Sequence, residues 1–320
     1  MNGISFVIPN RNGEKLLKEN LPFLLSEIKN IECKEIIIAD DFSTDSSIAM
    51  IRKDFPEIRV ITSEKPLGFS ENCNKGVYET KYDTVVCLNT DVRVSSGFLA
   101  PLLKVLQEPE VFAVSPKILK PEQDSYINES LCKTFYGFGL FYHSGIPEKK
   151  LLKDPPVCSI PFACGAAIAF KKNFFMELKG FDTLYSPFYW EDFDLCYRAW
   201  KKGWKTLYQS ESSVYHLHRG TISRLYKQID VEIIHERNRF LFVWKNVIDP
   251  LLIAEHFLFL PAKLIESLLQ GRYFFLTSFL EALKKFPETW KKRKREKEEA
   301  KFGDREILKL YSKIYKNLYV

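Results

Sequence analysis

The sequence predicts an α/β fold on a mostly parallel sheet, followed by a helical C-terminal extension. Three observations predict it. Apolar runs short enough for strands alternate with helical stretches through the first 115 residues; several of those runs end in acids or amides; and residues 241–320 carry only helical periodicity.

The elements follow in order. ISFVIPN is an apolar run ending near Pro9, and RNGEKLLKENLPFLLSEI gives a turn and then leucines at helical spacing, with Pro22 marking a bend or junction. EIIIAD is a second strand that stops at Asp40 and Asp41, and STDSSIAMIRKDF supplies Ser and Asp caps for the next helix. RVITSE reads as a short strand, GFSENCNKGVYET as a glycine turn entering a helix, and YDTVVCLNTD as a strand ending in acid. Residues 98–115 read as a helix and the strand VFAVS. The segment 120–156 shows no sustained period, and it reads as a long loop or small hairpins, serving as a substrate-binding lid or an ordinary surface excursion. The pattern resumes at 157, with a helix from Asp192 to Lys202 and a strand at WKTLYQ. Helices then follow over 224–248 and 251–269, over the stretch YFFLTSFLEALKKFPETW, and near the C-terminus.

Composition narrows the class. At 320 residues with 46% hydrophobic and 28% charged side chains, the chain can bury a large core. Its net charge of +6 is unevenly placed: residues 1–262 carry 32 basic and 33 acidic side chains, whereas residues 263–320 carry 15 and 8. The excess positive charge lies behind the catalytic part, which fits a tail meeting an anionic membrane surface or packing on a second copy. A nucleic-acid partner would explain that tail but leave the strand-end acids without a purpose. Seven cysteines include no Cys-x-x-Cys pair, so a reducing, cytoplasmic setting is expected, and the longest uncharged runs, such as 157–170, are too short to span a bilayer.

In open α/β sheets, ligands bind beyond the carboxyl ends of the strands, so Pro9–Asn12, Asp40, Asp41 and Asn89–Asp91 are expected to converge. No Gly-x-Gly-x-x-Gly loop accompanies them, which points away from dinucleotide and P-loop enzymes. Asp40 is a candidate for contact with a ribose or base; Asp45 either supports the ligand or caps the next helix. Asp91 is a candidate for a divalent cation, which would neutralise a diphosphate leaving group. Asp192, with Glu191 beside it, is the candidate base for an acceptor hydroxyl, although acids at a helix start are also stabilised by the helix dipole. Asp194 is expected to pair with Arg198 one turn on. His216 and His218 project to one side of an extended segment next to Arg219, and either contact a metal or diphosphate or are structural.

Four motifs in order, FVIPNRNG, IIADDFSTDSS, GFSENCNKG and LNTD, together with WEDFDLCYRAWKKGW and HLHRGTIS, resemble the family 2 glycosyltransferases of the GT-A fold over roughly residues 3–240. The resemblance implies an inverting transfer from a nucleoside-diphosphate sugar (UDP-, dTDP- or GDP-linked) to a hydroxyl of a glycan or lipid-linked glycan. It places Pro9, Asn12, Asp40, Gly68, Asn74, Asn89 and Thr90 at the donor, with Gly76 allowing close backbone approach. It places Mg or Mn at Asp91, with His216 or His218 as further contacts, and makes Asp192 the base. Asn89 stands where the family's Asp-x-Asp motif has its first acid. The look is nearest to bacterial rhamnosyltransferase-like enzymes of polysaccharide or cell-wall glycan synthesis. The implied division is a catalytic domain over 1–240, with donor and acceptor halves meeting near 118, and an extension over 241–320 for attachment to the inner face of the cell membrane or for subunit packing. A nucleotide-binding scaffold without activity is the competing expectation.

Overall fold

A computed structural model describes residues 3–123, 125–147, 154–218 and 224–318. Four parallel strands form its first half: β1 (Ile4–Asn10), β2 (Lys34–Asp40), β3 (Arg59–Thr62) and β4 (Thr84–Leu88), in the spatial order β3-β2-β1-β4. Helices α1 (Glu14–Ile28), α2 (Ser47–Asp54) and α3 (Phe69–Tyr78) connect them. β1, β2 and β4 are largely buried on both faces, as parallel strands under helices must be, while β3 is a more exposed edge strand. Ile4, Phe6 and Ile8 face one hydrophobic cluster while Val7 faces the other. Gly76 lets α3 lie close on the sheet, because a Cβ there would sit 2.6 Å from Val7 Cγ1 and 3.1 Å from Ala39 Cβ.

Beyond β4 the sheet is mixed rather than parallel. It continues through β10 (Ala167–Lys171), β6 (Val111–Pro121), β11 (Lys205–His216) and β5 (Val92–Val94), with β10 antiparallel to both its neighbours and β6 parallel to β11. Between β5 and β6 lies α4 (Leu99–Leu106), whose Leu99, Leu102, Leu103 and Leu106 enter the core. Of the long loop or small hairpins expected over 120–156, the structure shows a hairpin, β7 (Tyr126–Gly137) with β8 (Leu140–Pro147), and β7 also pairs with the end of β6. A short β9 (Val157–Ser159) edges β11. After β10 come α5 (Lys172–Glu177) and α6 (Glu191–Lys201).

Pro22 lies within α1 without ending it, since Leu17, Leu21, Leu24 and Ile28 seat that helix on the core whatever one missing hydrogen bond costs. The C-terminal helices are α7 (Gln228–Asn246), α8 (Pro250–Leu269), α9 (Tyr273–Lys284), α10 (Phe286–Glu299) and α11 (Asp304–Leu318). The stretch 273–290, read as one helical segment, is divided between α9 and α10 at Lys285. No helix among the described residues is long and apolar enough to cross a membrane.

Buried ion pairs fasten this extension to the sheet domain. Lys245 on α7 reaches Asp182 at 2.6 Å and Asp194 at 2.7 Å, and Lys292 on α10 reaches Asp182 at 2.6 Å. Lys201 meets Asp304 at 2.8 Å, and Tyr197 donates to the same carboxylate at 2.7 Å. Asp194 pairs with Arg198 at 2.7 Å as its i,i+4 spacing predicts. Charges this deep are kept in place by their partners, so removing one would strand the other.

Candidate active site

The ends of β1 and β2 are stitched together by short polar side chains. Asn10 donates to Asp40 at 2.7 Å, and Ser43 gives Asp40 both a hydroxyl bond at 2.5 Å and a backbone N–H bond at 3.0 Å. Asn12, at φ +53°, accepts from Thr44 N at 2.7 Å and donates its own N–H to Ser43 Oγ at 2.8 Å. Asp45 accepts from the backbone N–H of Glu14 and of Ser47, both at 3.0 Å, so its carboxylate serves the first turns of α1 and α2 together. Asp41, next to Asp40, accepts from Leu67 N at 2.5 Å and Gly68 N at 3.2 Å, with Arg11 at 3.3 Å. Gly68 has φ +83°, and a Cβ there would stand 3.2 Å from the Pro187 backbone, so glycine is needed at this position.

Pro9, on β1, lies past the last β1–β4 pair at Val7, where its missing N–H costs the sheet nothing. Gly13 joins the donor-side cradle to the next strand end: a Cβ would meet Asn10 Oδ1 at 2.3 Å and Thr90 at 3.2 Å. Thr90 is held further by Asn20, which donates to its carbonyl at 2.9 Å. Asn74 is committed elsewhere. Its amide exchanges hydrogen bonds with the Phe181 backbone at 2.8 and 2.9 Å, so it reaches the site only by fixing that loop.

The second cluster forms around Asp91. His216, the last residue of β11, places Nε2 3.5 Å from Asp91 and Nδ1 2.7 Å from Glu129 of β7. His218 Nε2 is also 2.7 Å from Glu129, and the two imidazole centres lie 4.0 Å apart. Ligand atoms of Glu129, His216 and His218 all fall within 4.8 Å of one another. Burial works against the charge of Glu129, but its hydrogen bonds to the two histidines prevail and hold its carboxyl down at about 2. Burial likewise opposes charge on His216, yet bonds to Asp91 and Glu129 lift it to about 9. One carboxylate and two imidazoles facing one another are a donor set that fits a divalent cation, with Asp91 on the other nitrogen of His216. Arg219 lies outside the described residues.

The acceptor-side acids stand at the start of α6. Tyr189 and Trp190 precede it at φ +70° and +77°, a left-handed conformation that bulky residues adopt only when their surroundings enforce it. Asn238 of α7 supplies that force: its buried amide reaches the carbonyls of Tyr185, Phe188 and Tyr189 at 2.7 to 2.9 Å, while Arg237 holds Ser186 O at 2.6 Å. Asp192 then accepts from Gly165 N at 2.9 Å and Phe193 N at 2.7 Å. Asn89 N donates to Ala166 O at 2.9 Å, so consecutive residues of one loop bind the metal-side strand end and the Asp192 carboxylate.

Glu191 is buried, and its Oε2 has no hydrogen-bond partner. Burial first, then the charge of Asp192, pushes its carboxyl well above the usual range. Asp192 is raised as well, by burial, but its two backbone N–H bonds oppose the shift. Both carboxyls therefore hold a proton more tightly than usual, Glu191 the more so. An aromatic wall of His143, Trp190, Phe162 and Phe193 stands behind them, and burial pushes the His143 imidazole down to about 3, so it stays neutral.

Sequence reading named neither Glu129 nor Gly13 nor Asn238. Glu129 lies in the segment that shows no sustained period, and the other two carry no charge or periodicity that marks them.

Comparison with known proteins agrees with this layout. Residues 5–179 match the family described as Glycosyl transferase family 2. Over 178 residues the chain is 24% identical to human polypeptide N-acetylgalactosaminyltransferase 16, covering 53% of this chain and 32% of that enzyme, so it spans about a third of the relative's length. Over 204 residues it is 22% identical to the N-acetylglucosaminyl-diphospho-decaprenol L-rhamnosyltransferase of Mycobacterium tuberculosis, covering 57% and 66% of the two chains. The fold is shared with a mannosyltransferase from Pyrobaculum calidifontis solved with GDP-Man and Mn2+, at a TM-score of 0.55 and 15% identity over 88% of this chain and 86% of that one. With the family match spanning more than half of its length across the strand ends described above, the chain belongs to glycosyl transferase family 2.

Proposed function

We propose that the protein transfers a sugar, with inversion, from a nucleoside-diphosphate donor to a hydroxyl of a glycan or lipid-linked glycan. The observation that carries this reading is the unequal Glu191–Asp192 pair. Asp192 is held by the Gly165 and Phe193 N–H groups beside a buried Glu191 with an unpartnered oxygen, and in this reading Asp192 is the carboxylate that acts as general base. Asp192 takes the proton from the acceptor hydroxyl as its oxygen attacks the sugar carbon. Protonated Glu191 offers its unpartnered oxygen as a hydrogen-bond contact that orients the acceptor.

On the donor side, Pro9, Asn12 and the Asp40 cradle shape the nucleotide pocket, with Asn89 and Thr90 at its edge. Glu129, His216 and His218 would hold the divalent cation, with Asp91 beside them through His216, and the cation when bound would neutralise charge on the departing diphosphate. Two imidazoles among the donors favour manganese over magnesium, which prefers an all-oxygen shell.

The division into a catalytic domain over 1–240 and an extension over 241–320 fits this reading, with α7 crossing the boundary and contributing Asn238 to the base loop. The setting is the cytoplasm, at the inner face of the cell membrane. The likeness to the mycobacterial enzyme supports an L-rhamnosyl donor and a role in polysaccharide or cell-wall glycan synthesis. Incubation with UDP-, dTDP- and GDP-sugars, with and without manganese, should release nucleoside diphosphate from one donor class in the presence of an acceptor. Absence of both binding and release across that panel would instead favour a scaffold without activity.

A further inference from the structure

In α8 apolar side chains cover the outward face as well as the inward one. Leu251, Ala254, Leu258, Pro261, Ile265 and Leu268 recur every three or four residues and therefore share one face, yet all are exposed, Leu258 to 73%. No charged residue interrupts this row, since Glu255, Lys263 and Glu266 lie off it. The inward face packs Leu260 and the half-buried Leu252, Ile253 and Leu264 on the core and carries two polar side chains. His256 is buried between Trp244, whose indole donates to it at 2.9 Å, and Gly139 O at 2.7 Å, and Ser267 donates to Arg272 O at 2.6 Å. The apolar surface runs on through Leu269, at 84% exposure, and Tyr273, and Trp290 on α10 is also exposed.

Beside the row, α8 turns its next flank into a cavity of about 290 Å³ lined by Tyr142, Glu236, Arg239, Lys263, Glu266 and Arg272, among others. Its acids are engaged: Glu236 is paired with Arg239 at 2.9 Å, and Glu266 accepts from Gln270 at 3.1 Å. Of its cations, Arg239 meets one of these acids and the other two do not. Lys263 donates to the Tyr142 hydroxyl and Arg272 to the Gln270 amide, and neither meets a carboxylate among the described residues. Arg239 is buried, and its Nη2 has no hydrogen-bond partner at all. A buried guanidinium N–H without an acceptor calls for an anionic oxygen.

We infer that the outer face of α8 and its continuation into α9 lie in the headgroup region of an anionic bilayer, with Arg239, Lys263 and Arg272 receiving a lipid phosphate. The apolar row supplies buried area, Tyr273 and Trp290 are side chains suited to the interfacial zone, and Lys291 and Lys294 of α10 add charge attracted to anionic lipid. Charge complementarity decides for lipid over a second copy, because a second copy would bring the same unpaired cations to the contact. The inference rests on the proposed transfer reaction only for its use, which is to meet an acceptor carried on lipid.

The test is co-sedimentation of the full chain with vesicles of phosphatidylcholine alone and of phosphatidylcholine with phosphatidylglycerol, in the absence of any donor. Retention is expected on the anionic vesicles and should fall with added salt. Leu258→Glu with Ile265→Glu should lower retention about tenfold or more, and Lys263→Gln with Arg272→Gln should remove the preference for anionic lipid, both with unchanged thermal melts. Equal retention on the two vesicle types would overturn the phosphate assignment. No retention, with a dimer in sedimentation velocity that the glutamate variant dissociates, would overturn the inference in favour of a second copy. Sugar transfer is measured separately with a soluble acceptor, so failure on vesicles leaves the reaction standing, and failure of transfer leaves the surface standing.

Discussion

The acids at the end of β2 and the acids at the start of α6 look alike in sequence and differ in how they are satisfied. Asp40, Asp41 and Asp45 each accept at least two hydrogen bonds from nearby backbone or side-chain donors, and these bonds close the loops that carry them. Glu191 and Asp192 sit side by side in a buried, aromatic-walled pocket, one with an orphaned oxygen and both with raised affinity for a proton. The difference separates carboxylates that build the site from carboxylates whose chemistry is unspent. Asp192 too accepts two backbone bonds, so what sets it apart is the buried, unpartnered carboxyl beside it and the tighter hold both have on a proton.

The strongest way to break that division is Asp192→Asn. It should reduce transfer by about 10² to 10⁴ while leaving donor binding and the melting temperature nearly unchanged. Full transfer by the variant would remove Asp192 from the base role. Glu191→Gln should act differently, because it puts a neutral side chain where burial disfavours a charged carboxyl. Its effect should be clearest in stability against pH. The folded state binds the Glu191 proton more tightly than the unfolded chain, so stability is lost as pH rises from the ordinary carboxylate range through the raised value. Denaturant melts over that window should be flatter for Glu191→Gln, and a slope matching that of the parent chain would mean that Glu191 is not the proton holder.

Glu129 tests whether the second cluster belongs with the chemical acids or with the architectural ones. Replacement by Gln should weaken manganese binding, read by titration calorimetry or by the loss of the free-manganese paramagnetic signal, about 10- to 100-fold. Unchanged affinity would make it a brace for the histidines alone. A smaller effect is expected at Asn238, which touches neither donor nor acceptor in the proposed reaction. Asn238→Ala releases three carbonyls of the loop leading into Glu191. It should lower kcat about tenfold through misplacement of Asp192, with donor KM little changed. A rise in donor KM with kcat intact would place its role on the other side of the site.

The parallel half of the sheet and the strand-end acids were legible because local signals agree there: apolar runs, polar stops and capping residues recur within short windows. Glu129 was not legible. Its strand, YINESLCKTFYG, has a burial pattern without clean alternation, and its pairing with β8 and β6 depends on residues that no local pattern announces. Asn238 was hidden for another reason, since one amide in a helix says nothing of the three carbonyls it will meet across the fold. Asn74 misled in the opposite direction, as an amide in a glycine-flanked motif that spends both its functions on Phe181. The exposed row on α8 was visible as apolar periodicity, but periodicity gives only a face and not the direction in which it turns.

Asp45 is the finest test of the comparison, because its sequence context supports both capping and ligand support. Its oxygens are occupied by Glu14 N, Ser47 N and the Ser47 hydroxyl, which ties the start of α1 to the start of α2. Asp45→Ala should therefore cost about 1 kcal/mol of stability, the usual loss for a helix-terminal acceptor. It should leave kcat unchanged and donor KM within a few-fold. Asp45→Asn, which keeps an acceptor oxygen, should recover most of that stability. If instead the alanine variant melts normally but loses donor affinity more than about tenfold, the carboxylate meets the donor directly, and at least one acid at the end of β2 belongs with those at the start of α6.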